Sequence, residues 1–133
     1  MIIVLKELPE VVKKGLERAI TNTTFGEFWD LESAQEGLNM GVLGCFHQIE
    51  SGYSGIFTTR ETPLSRQLYF FWSGKDPLNT TSIDFEEVNT FLVNISKELK
   101  CTHIVCEGRT GWKKIVEPLG YILESHSYIK GIA

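Results

Sequence analysis

The 133-residue chain lacks several features that would assign it to a class at once. It has no apolar run approaching the roughly 20 residues of a membrane-spanning helix, and no charged-then-apolar signal segment at its start. It also has no internal repeat, linker or low-complexity tract. We therefore expect one domain over residues 1–133, located in the cytoplasm and without a membrane partner.

Cysteine and positive charge are both scarce. The three cysteines, Cys45, Cys101 and Cys106, are odd in number, which suits reduced thiols in a core better than a disulfide framework. Lysine and arginine number 13 against 17 aspartates and glutamates, giving a formal net charge of −4. This balance argues against a broad phosphate-binding surface, so nucleic acid is not an expected partner.

Two Cys-x-His pairs, Cys45 with His47 and Cys101 with His103, have the composition of a zinc site. The strands predicted to carry them are the second and fifth of the sheet, which places the pairs about 14 Å apart. No metal site is therefore expected. A cysteine nucleophile would need an exposed thiol of lowered pKa, whereas Cys45 and Cys106 lie in apolar runs that favour core packing.

Apolar residues make up 42% of the chain and charged residues 23%, the composition of an ordinary globular protein. Hydrophobic periodicity and cap residues then predict an order of strands and helices. Strands are predicted at 1–5, 41–49, 54–59, 67–72, 102–106 and 121–129, and helices at 9–20, 31–38, 84–100 and 110–117. The order predicts an α+β (mixed α/β) domain, with about four helices flanking a central, mostly antiparallel sheet of about six strands.

This order, together with three short motifs, resembles the GNAT family of N-acetyltransferases across essentially the whole chain. The motifs are an aromatic fourth strand running into Trp72-Ser-Gly-Lys75, a Gly108-Arg109 turn into a short helix, and a Gly120-Tyr121 step. The likeness is closer to a divergent tailed-bacteriophage branch that includes small internal virion proteins. The resemblance implies the acyltransferase-like fold.

In enzymes of that family, the loop after the fourth strand resembles Gln/Arg-x-x-Gly-x-Gly/Ala. Its backbone N–H groups hold the pyrophosphate of acetyl-coenzyme A. Here the loop at 73–83 has one glycine, Pro77 has no N–H, and Asp76 and Asp84 place negative charge where the anion would lie. Lys75 offsets only part of that charge, so the cofactor signature is not preserved.

The second family signature places a tyrosine on the short helix, where it protonates the leaving thiolate. Aligning the family's Gly-aromatic step on Gly120-Tyr121 puts Arg109, Trp112 and Val116 where the enzymes have Asn, Ala and this Tyr. Valine cannot give a proton. Trp112 is also much larger than alanine and would crowd the path of the pantetheine arm. We therefore expect the fold without the chemistry, and assign no catalytic residue and no cofactor.

The residues predicted to bind a partner are Arg109, Trp112 and Lys113. Arginine and tryptophan are enriched at the centres of protein interfaces. The competing interpretation is that Trp112 packs its ring against the sheet, while Arg109 extends along the mouth of the helix with its charge in water.

A different set of residues is expected to bind a ligand if the chain is an active N-acyltransferase with a non-standard cofactor loop. Its acetyl-coenzyme A site would be formed by Phe71, Trp72, Ser73, Gly74 and Lys75. Main-chain groups of Phe71 and Trp72 would hold the pantetheine arm, and Gly74 and Lys75 the phosphates. Glu107 or Tyr121 would then manage the proton.

The sequence thus predicts a catalytically degenerate acetyltransferase-like domain of a tailed phage, a pseudoenzyme acting through protein–protein contacts. Its expected partners are other phage structural or assembly proteins, in the host cytoplasm and, after incorporation, in the virion. Besides the active acyltransferase, a second alternative is a phage protein that inhibits a host enzyme through the acidic patch Glu27, Asp30, Glu32 and Glu36. The oligomeric state is left open.

Overall fold

A computed structural model describes residues 1–108, 110–124 and 127–132. These residues form five strands and four α-helices. The strands are β1 (Ile2–Leu5), β2 (Gly44–Gln48), β3 (Tyr53–Thr62), β4 (Ser65–Lys75) and β5 (His103–Cys106). The α-helices are α1 (Glu10–Ile20), α2 (Leu31–Asn39), α3 (Phe85–Glu98) and α4 (Lys113–Val116), with short 3₁₀ turns at Thr24–Glu27, Thr110–Trp112 and Glu117–Leu119.

The strands lie in one sheet in their chain order, β1-β2-β3-β4-β5. The first four are mutually antiparallel and β5 is parallel to β4. This confirms the predicted fold class, a mixed α+β domain on one mostly antiparallel sheet, with five strands against the predicted six or so. None of the helices in the described ranges is long and apolar enough to cross a membrane.

The hairpin of β3 and β4 is longer than the sequence predicts. Its ladder continues to the Thr62–Ser65 pair, and Pro63-Leu64 form the turn. The polar residues assigned to a loop continue the strands because their side chains pair across the ladder. Arg60 donates to the Gln67 side chain at 3.2 Å, and Arg66 forms a salt bridge with Glu61.

The strand predicted at 121–129 is not found in the described residues of that range, 121–124 and 127–129. The remaining two, Ser125 and His126, lie outside the described residues. The side chains of Ile122, Leu123, Tyr128 and Ile129 are exposed there. An apolar, β-favouring composition predicts an extended segment, but only a hydrogen-bonding neighbour makes it a strand.

The helices cover both faces of the sheet. On one face α1 and α2 enclose a core of nine buried residues, namely Leu8, Val12, Leu16, Ala34, Leu38, Cys45, Ile56, Phe71 and Trp72. On the other face, Val88 and Leu92 of α3 pack against residues of the sheet, namely Phe46, Tyr53, Phe57, Leu68 and Phe70. The central strand β4 contributes to both cores, as its continuous apolar run predicts.

A β-bulge at Phe71 changes the direction of side chains along β4. Ile56 pairs with Trp72, whereas the next residue, Phe57, pairs with Phe70, so Phe71 is the extra residue. Phe71 and Trp72 consequently both face α1. The Trp72 indole N–H donates to the carbonyl of Leu16 at 3.0 Å, which fixes α1 to the end of the strand.

Two glycines let α1 approach β4 directly. A Cβ on Gly74 would lie 2.1 Å from the carbonyl oxygen of Gly15, and one on Gly15 would lie 3.1 Å from the carbonyl carbon of Lys75. Only a residue without a side chain fits at Gly74. The end of strand β4 is therefore covered on the α1 side by the backbone of that helix.

Candidate functional site

The candidate site is the place where β4 and β5 part. β5 pairs with β4 only from Gln67–His103 to Phe70–Cys106, and the last link is the Glu107 N–H bonded to the Phe70 carbonyl at 3.1 Å. Beyond Phe70 and the bulge residue Phe71, residues 72–75 of β4 pair with β3 alone within the described structure. We call the gap between residues 71–75 and residues 107, 108 and 112 the β4–β5 opening.

On the α3 side, the opening is filled by an aromatic cluster of Tyr53, Phe85 and Trp112. The Trp112 ring lies 5.5 Å from Phe85 in an edge-to-face arrangement and 6.3 Å from Tyr53. Gly108 is required beneath it, because a Cβ there would lie 2.5 Å from the Trp112 ring. The half-buried Trp112 thus packs against the core, which supports the packing interpretation; its role in partner binding stays a prediction.

A buried hydroxyl lies beside this cluster. Tyr53 is 2% exposed, and its hydroxyl has no hydrogen-bond partner among the residues described. Ser73 lies close enough to lower the pKa of Tyr53, but the two hydroxyls do not form a hydrogen bond of ordinary geometry. Burial outweighs this effect and raises the pKa of Tyr53, which stays neutral.

Cys106, at the end of β5, lies near both Tyr53 and Tyr121. Burial raises the pKa of Cys106 to about 11, so its thiol stays protonated at neutral pH. The Tyr121 hydroxyl donates to the Asn89 side chain on α3 at 2.8 Å. The opening therefore contains a protonated thiol and two neutral phenols, not an activated nucleophile.

The loop from β4 to α3 uses its own side chains to bind its backbone N–H groups. Asp76 accepts from the Leu78 N–H at 3.0 Å, Asn79 from the Thr81 N–H at 2.8 Å, and Asp84 from the Glu87 N–H at 3.1 Å. The ammonium group of the nearby Lys75 donates a hydrogen bond to the Asn79 carbonyl. These three amides are thus already bonded within the loop and the first turn of α3, and are not free to bind an anion.

Gln48 holds the start of α3 in this arrangement. Its side chain is 1% exposed. The Gln48 amide accepts from the Asp84 N–H at 3.1 Å and donates to the Asp84 carbonyl at 3.0 Å and the Glu87 carboxylate at 2.9 Å. Ser51 donates to the same Gln48 oxygen. The helix N-terminus is consequently capped, acidic and tied to the neighbouring strand β2.

The negative charge around this N-terminus is high. Glu86 and Glu87 lie in the first turn of α3, and Asp84 is its N-cap. Asp76 lies earlier in the same loop, one residue beyond the end of β4. The partial positive charge of a helix N-terminus favours one anion, and here the chain supplies several. A phosphate group would meet carboxylates in this region.

The residues predicted for a cofactor site lie together but differ in orientation. Ser73, Gly74 and Lys75 belong to β4 itself, so the loop predicted at 73–83 begins only after Lys75. The hairpin ladder extends there because Gly55, Ser54 and Tyr53 of β3 supply partners. Phe71 and Trp72 direct their side chains into the α1 core.

The residues predicted for partner binding are only partly described. Arg109 lies outside the described residues. Lys113 is exposed and lies 3.6 Å from Glu117, one helical turn later. Because both side chains are largely in water, this pair contributes little to stability, and Lys113 remains accessible.

Sequence reasoning missed Gln48, Tyr53 and Asn89. Tyr53 falls just before the strand predicted at 54–59, although it is the first residue of β3. The alternation of Tyr53, Gly55 and Phe57 along the strand is the signal that could have placed Tyr53 on the α3 face. A glutamine at the end of an apolar strand was the available signal for Gln48. Nothing local distinguishes Asn89 from other polar residues of α3.

The two Cys-x-His pairs are separated as argued from the sequence, since β2 and β5 have two strands between them. His47 shares a hydrogen bond of 2.7 Å with Ser54 instead, and His103 shares one of 2.7 Å with Thr102. Across the described ranges, no three or more His, Cys, Asp or Glu side chains are grouped to hold a metal ion.

No protein-family model and no curated protein matches this sequence. Solved structures do match its fold. Aminoglycoside N-acetyltransferase AAC(6')-Iy in complex with CoA has a TM-score of 0.72 at 12% identity, over 100% of both chains. Ribosomal-protein-alanine N-acetyltransferase from Brucella melitensis biovar Abortus 2308 has a TM-score of 0.69 at 13% identity, over 99% of both chains.

Glucosamine-6-phosphate N-acetyltransferase from Arabidopsis thaliana has a TM-score of 0.67 at 13% identity, covering 100% of this chain and 99% of that one. At such low identity the likeness is one of fold. The chain therefore has the GNAT-like acetyltransferase fold, as its element order suggested. The likeness to a phage branch of that fold is not tested by these structures.

Proposed function

We propose that this chain is a catalytically degenerate acetyltransferase-like domain that acts through protein–protein contacts. The observation that carries the proposal is the loop between β4 and α3. The Leu78, Thr81 and Glu87 N–H groups are bound to side chains of the same loop and helix. An enzyme of this fold that uses coenzyme A must leave such groups free for the pyrophosphate.

The cost to cofactor binding follows from these contacts. A pyrophosphate would have to displace the Asp76, Asn79 and Asp84 side chains from the N–H groups that they bind. Each lost or unfavourable contact costs on the order of 1–3 kcal/mol. At about 2 kcal/mol each, two or three of them weaken binding about a thousandfold or more. Lys75 compensates poorly, because its ammonium is already bonded to the Asn79 carbonyl.

The finer part of the proposal is a role as a virion-associated or assembly protein of a tailed phage. Its support is the sequence resemblance carried by Trp72-Ser-Gly-Lys75 and the Gly120-Tyr121 step. The contact surface consists of residues 73–82 with Trp112 and Lys113. Leu78 adds an apolar anchor there, because 84% of its surface is exposed. The partners are other structural or assembly proteins of the phage.

This surface is tested by measuring binding to purified structural proteins of the phage. Leu78→Asp and Lys113→Glu are expected to weaken the interaction at least about tenfold. Leu64→Asp is the matched control, because Leu64 is a 96% exposed leucine at the remote turn between β3 and β4. The proposal fails if no structural protein binds, or if Leu64→Asp weakens binding as much as the other two.

An active N-acyltransferase is the second candidate, and one observation favours it. The β4 edge at residues 71–75 has no strand partner on the β5 side within the described chain, so its main chain is open to an extended ligand. Tyr121, whose hydroxyl lies near Cys106, would be the proton donor. Saturable binding of acetyl-coenzyme A separates this candidate from the proposed function.

A further inference from the structure

A groove lies on the α3 side of the sheet, at the end opposite to the β4–β5 opening. Its volume is about 290 Å³, at the lower end of the range for small-molecule sites. Its lining includes the apolar side chains of Val42, Phe57, Ile95 and Leu99 and the polar side chains of Thr59 and Arg66. Arg66 is five residues before Phe71 on β4, a separation of about 16 Å along the strand. The groove is therefore distinct from the candidate site.

The apolar part of this groove is built into the fold. A Cβ on Gly44 would lie 2.4 Å from the Phe57 ring, so only glycine on β2 leaves room for that ring. Ile95 and Leu99 are four residues apart at the end of α3, so they lie on one face of the helix. Val42 is 56% exposed and borders the groove beside solvent. A small apolar ligand can therefore enter without opening the core.

Arg66 brings a positive charge to the groove. Its Nη1 group forms a salt bridge with Glu61, whose side chain is 68% exposed. The Arg66 Nε–H is buried and has no hydrogen-bond partner among the residues described. A guanidinium has five N–H donors, and in the described structure Glu61 accepts from Nη1 alone. The side of the guanidinium formed by Nε and Nη2 is thus unused.

This unused side has the geometry that a carboxylate requires. The Nε–H and one Nη2–H are parallel, and together they bind the two oxygens of a carboxylate. An exposed ion pair is weak, so Glu61 does not prevent the guanidinium from turning toward a ligand. The Arg66 backbone is fixed, because the Thr102 N–H donates to its carbonyl at 2.7 Å. The Thr59 hydroxyl, which also lines the groove, is a further donor.

We propose that this groove binds a free aliphatic carboxylic acid, with the carboxylate on the Arg66 guanidinium and the hydrocarbon chain along Phe57, Ile95 and Leu99. Charge complementarity selects the acid, since an alcohol of the same length would fill the apolar part but leave the charge and the buried Nε–H of Arg66 without a partner. The small volume selects short and medium chains. The groove is remote from the β4–β5 opening, so the proposal goes beyond the proposed function and does not depend on it.

Titration of the protein with octanoate, followed by the NMR chemical shifts of its amides, tests the site. We expect saturable shifts at residues 41–44, 57–59 and 95–99, with a Kd of about 1 mM or below. Hexanoate lacks two methylene groups and should bind roughly tenfold more weakly, because each buried methylene raises affinity about fourfold. Octan-1-ol has the same chain length without the charge and should also bind at least about tenfold more weakly.

Arg66→Gln is expected to lower the affinity for octanoate at least about tenfold and to leave that for octan-1-ol unchanged. Arg60→Gln is the matched control, because Arg60 belongs to the same hairpin but lies over the Tyr69 ring at 3.8 Å, on the α1 side. If Arg66→Gln does not fold, Val42→Asp replaces it as the test. Val42 is exposed, and a carboxylate there should weaken the binding of octanoate more than that of octan-1-ol.

Four results would overturn the proposal. They are the absence of saturable binding, equal affinities for octanoate and octan-1-ol, and octanoate binding that neither Arg66→Gln nor Val42→Asp weakens more than Arg60→Gln does. The fourth is a set of shifts confined to the β4–β5 opening, which would place the acid in the candidate site instead.

Discussion

The amide of Gln48 is expected to determine the stability of the arrangement at the start of α3. Gln48→Leu keeps the approximate volume of the side chain and removes all of its hydrogen bonds. In the structure this amide bonds to the Asp84 N–H, the Asp84 carbonyl, the Glu87 carboxylate and the Ser51 hydroxyl, at a position that is 1% exposed. The variant therefore removes the partner of the buried Ser51 hydroxyl and of three polar groups at the start of α3.

The magnitude follows from these four contacts. Each hydrogen bond contributes a net of about 0.5–1.5 kcal/mol, and an unsatisfied buried group costs about 1–3 kcal/mol. Ser51 is buried, whereas Asp84 and Glu87 are within reach of water, so we expect a loss of about 3 kcal/mol in the free energy of unfolding. That loss corresponds to a decrease of about 10 °C in the melting temperature for a domain of this size.

Urea unfolding followed by circular dichroism measures this change, and Gln35→Leu is the matched control. The Gln35 amide also bridges two backbone groups, the Leu8 N–H at 2.9 Å and the Lys6 carbonyl at 3.0 Å, but it is half-buried beside solvent. Its replacement should cost less than about 1 kcal/mol. If Gln48→Leu costs no more than Gln35→Leu, the argument that this buried amide organises the α3 N-terminus is refuted.

Three further predictions concern buried groups. Tyr53→Phe removes a hydroxyl that lacks a partner in the described structure, so urea unfolding should show a gain of up to about 1 kcal/mol, and a loss would mean that the hydroxyl is bonded. Gly74→Ala places a Cβ 2.1 Å from the Gly15 carbonyl oxygen and should lower the stability measured in thermal melts by about 3 kcal/mol or more. At Gly111 an added Cβ meets no atom within 4 Å, so Gly111→Ala should cost less than about 1 kcal/mol. Equal costs would contradict the close approach of α1 to β4. Burial raises the pKa of Cys45 to about 12 and of Cys106 to about 11, from 9.0 in the unfolded chain. The unfolded chain therefore releases these protons first, and the free energy of unfolding should fall as the pH rises above about 9. Urea titrations between about pH 8 and 10 test this: a stability that does not change with pH, or a pH dependence that Cys45→Ala leaves unchanged, would contradict it.

Local signals in the sequence were sufficient to place most helices. Asp30 caps α2 through the Ser33 N–H at 2.7 Å, and Asp84 caps α3; the helices predicted at 31–38 and 84–100 therefore begin at an ordinary N-cap residue type. The apolar run of β4 predicted a strand covered on both faces, and it contributes to both cores. These features depend on a few adjacent residues, which is why one sequence can reveal them.

Other features depend on contacts between distant residues and were not predictable. The bulge at Phe71 exists because Ile56 and Phe57 pair around it, and no pattern within 67–72 marks the extra residue. Residues 121–124 and 127–129 have the composition of a strand but no strand neighbour within the described structure, and composition cannot report a neighbour. The sequence predicted that the loop between β4 and α3 is acidic, because it contains Asp76 and Asp84. It did not predict that these side chains accept hydrogen bonds from backbone N–H groups of the loop and of α3.

The measurement that tests the account most directly is calorimetric titration of the purified protein with acetyl-coenzyme A, continued to millimolar concentration. We predict no saturable binding with a Kd below about 100 μM, a limit that corresponds to about 5.5 kcal/mol. A Kd below that limit would contradict the claim that the β4–α3 loop has lost its phosphate site, and it would establish the active acyltransferase as the better account.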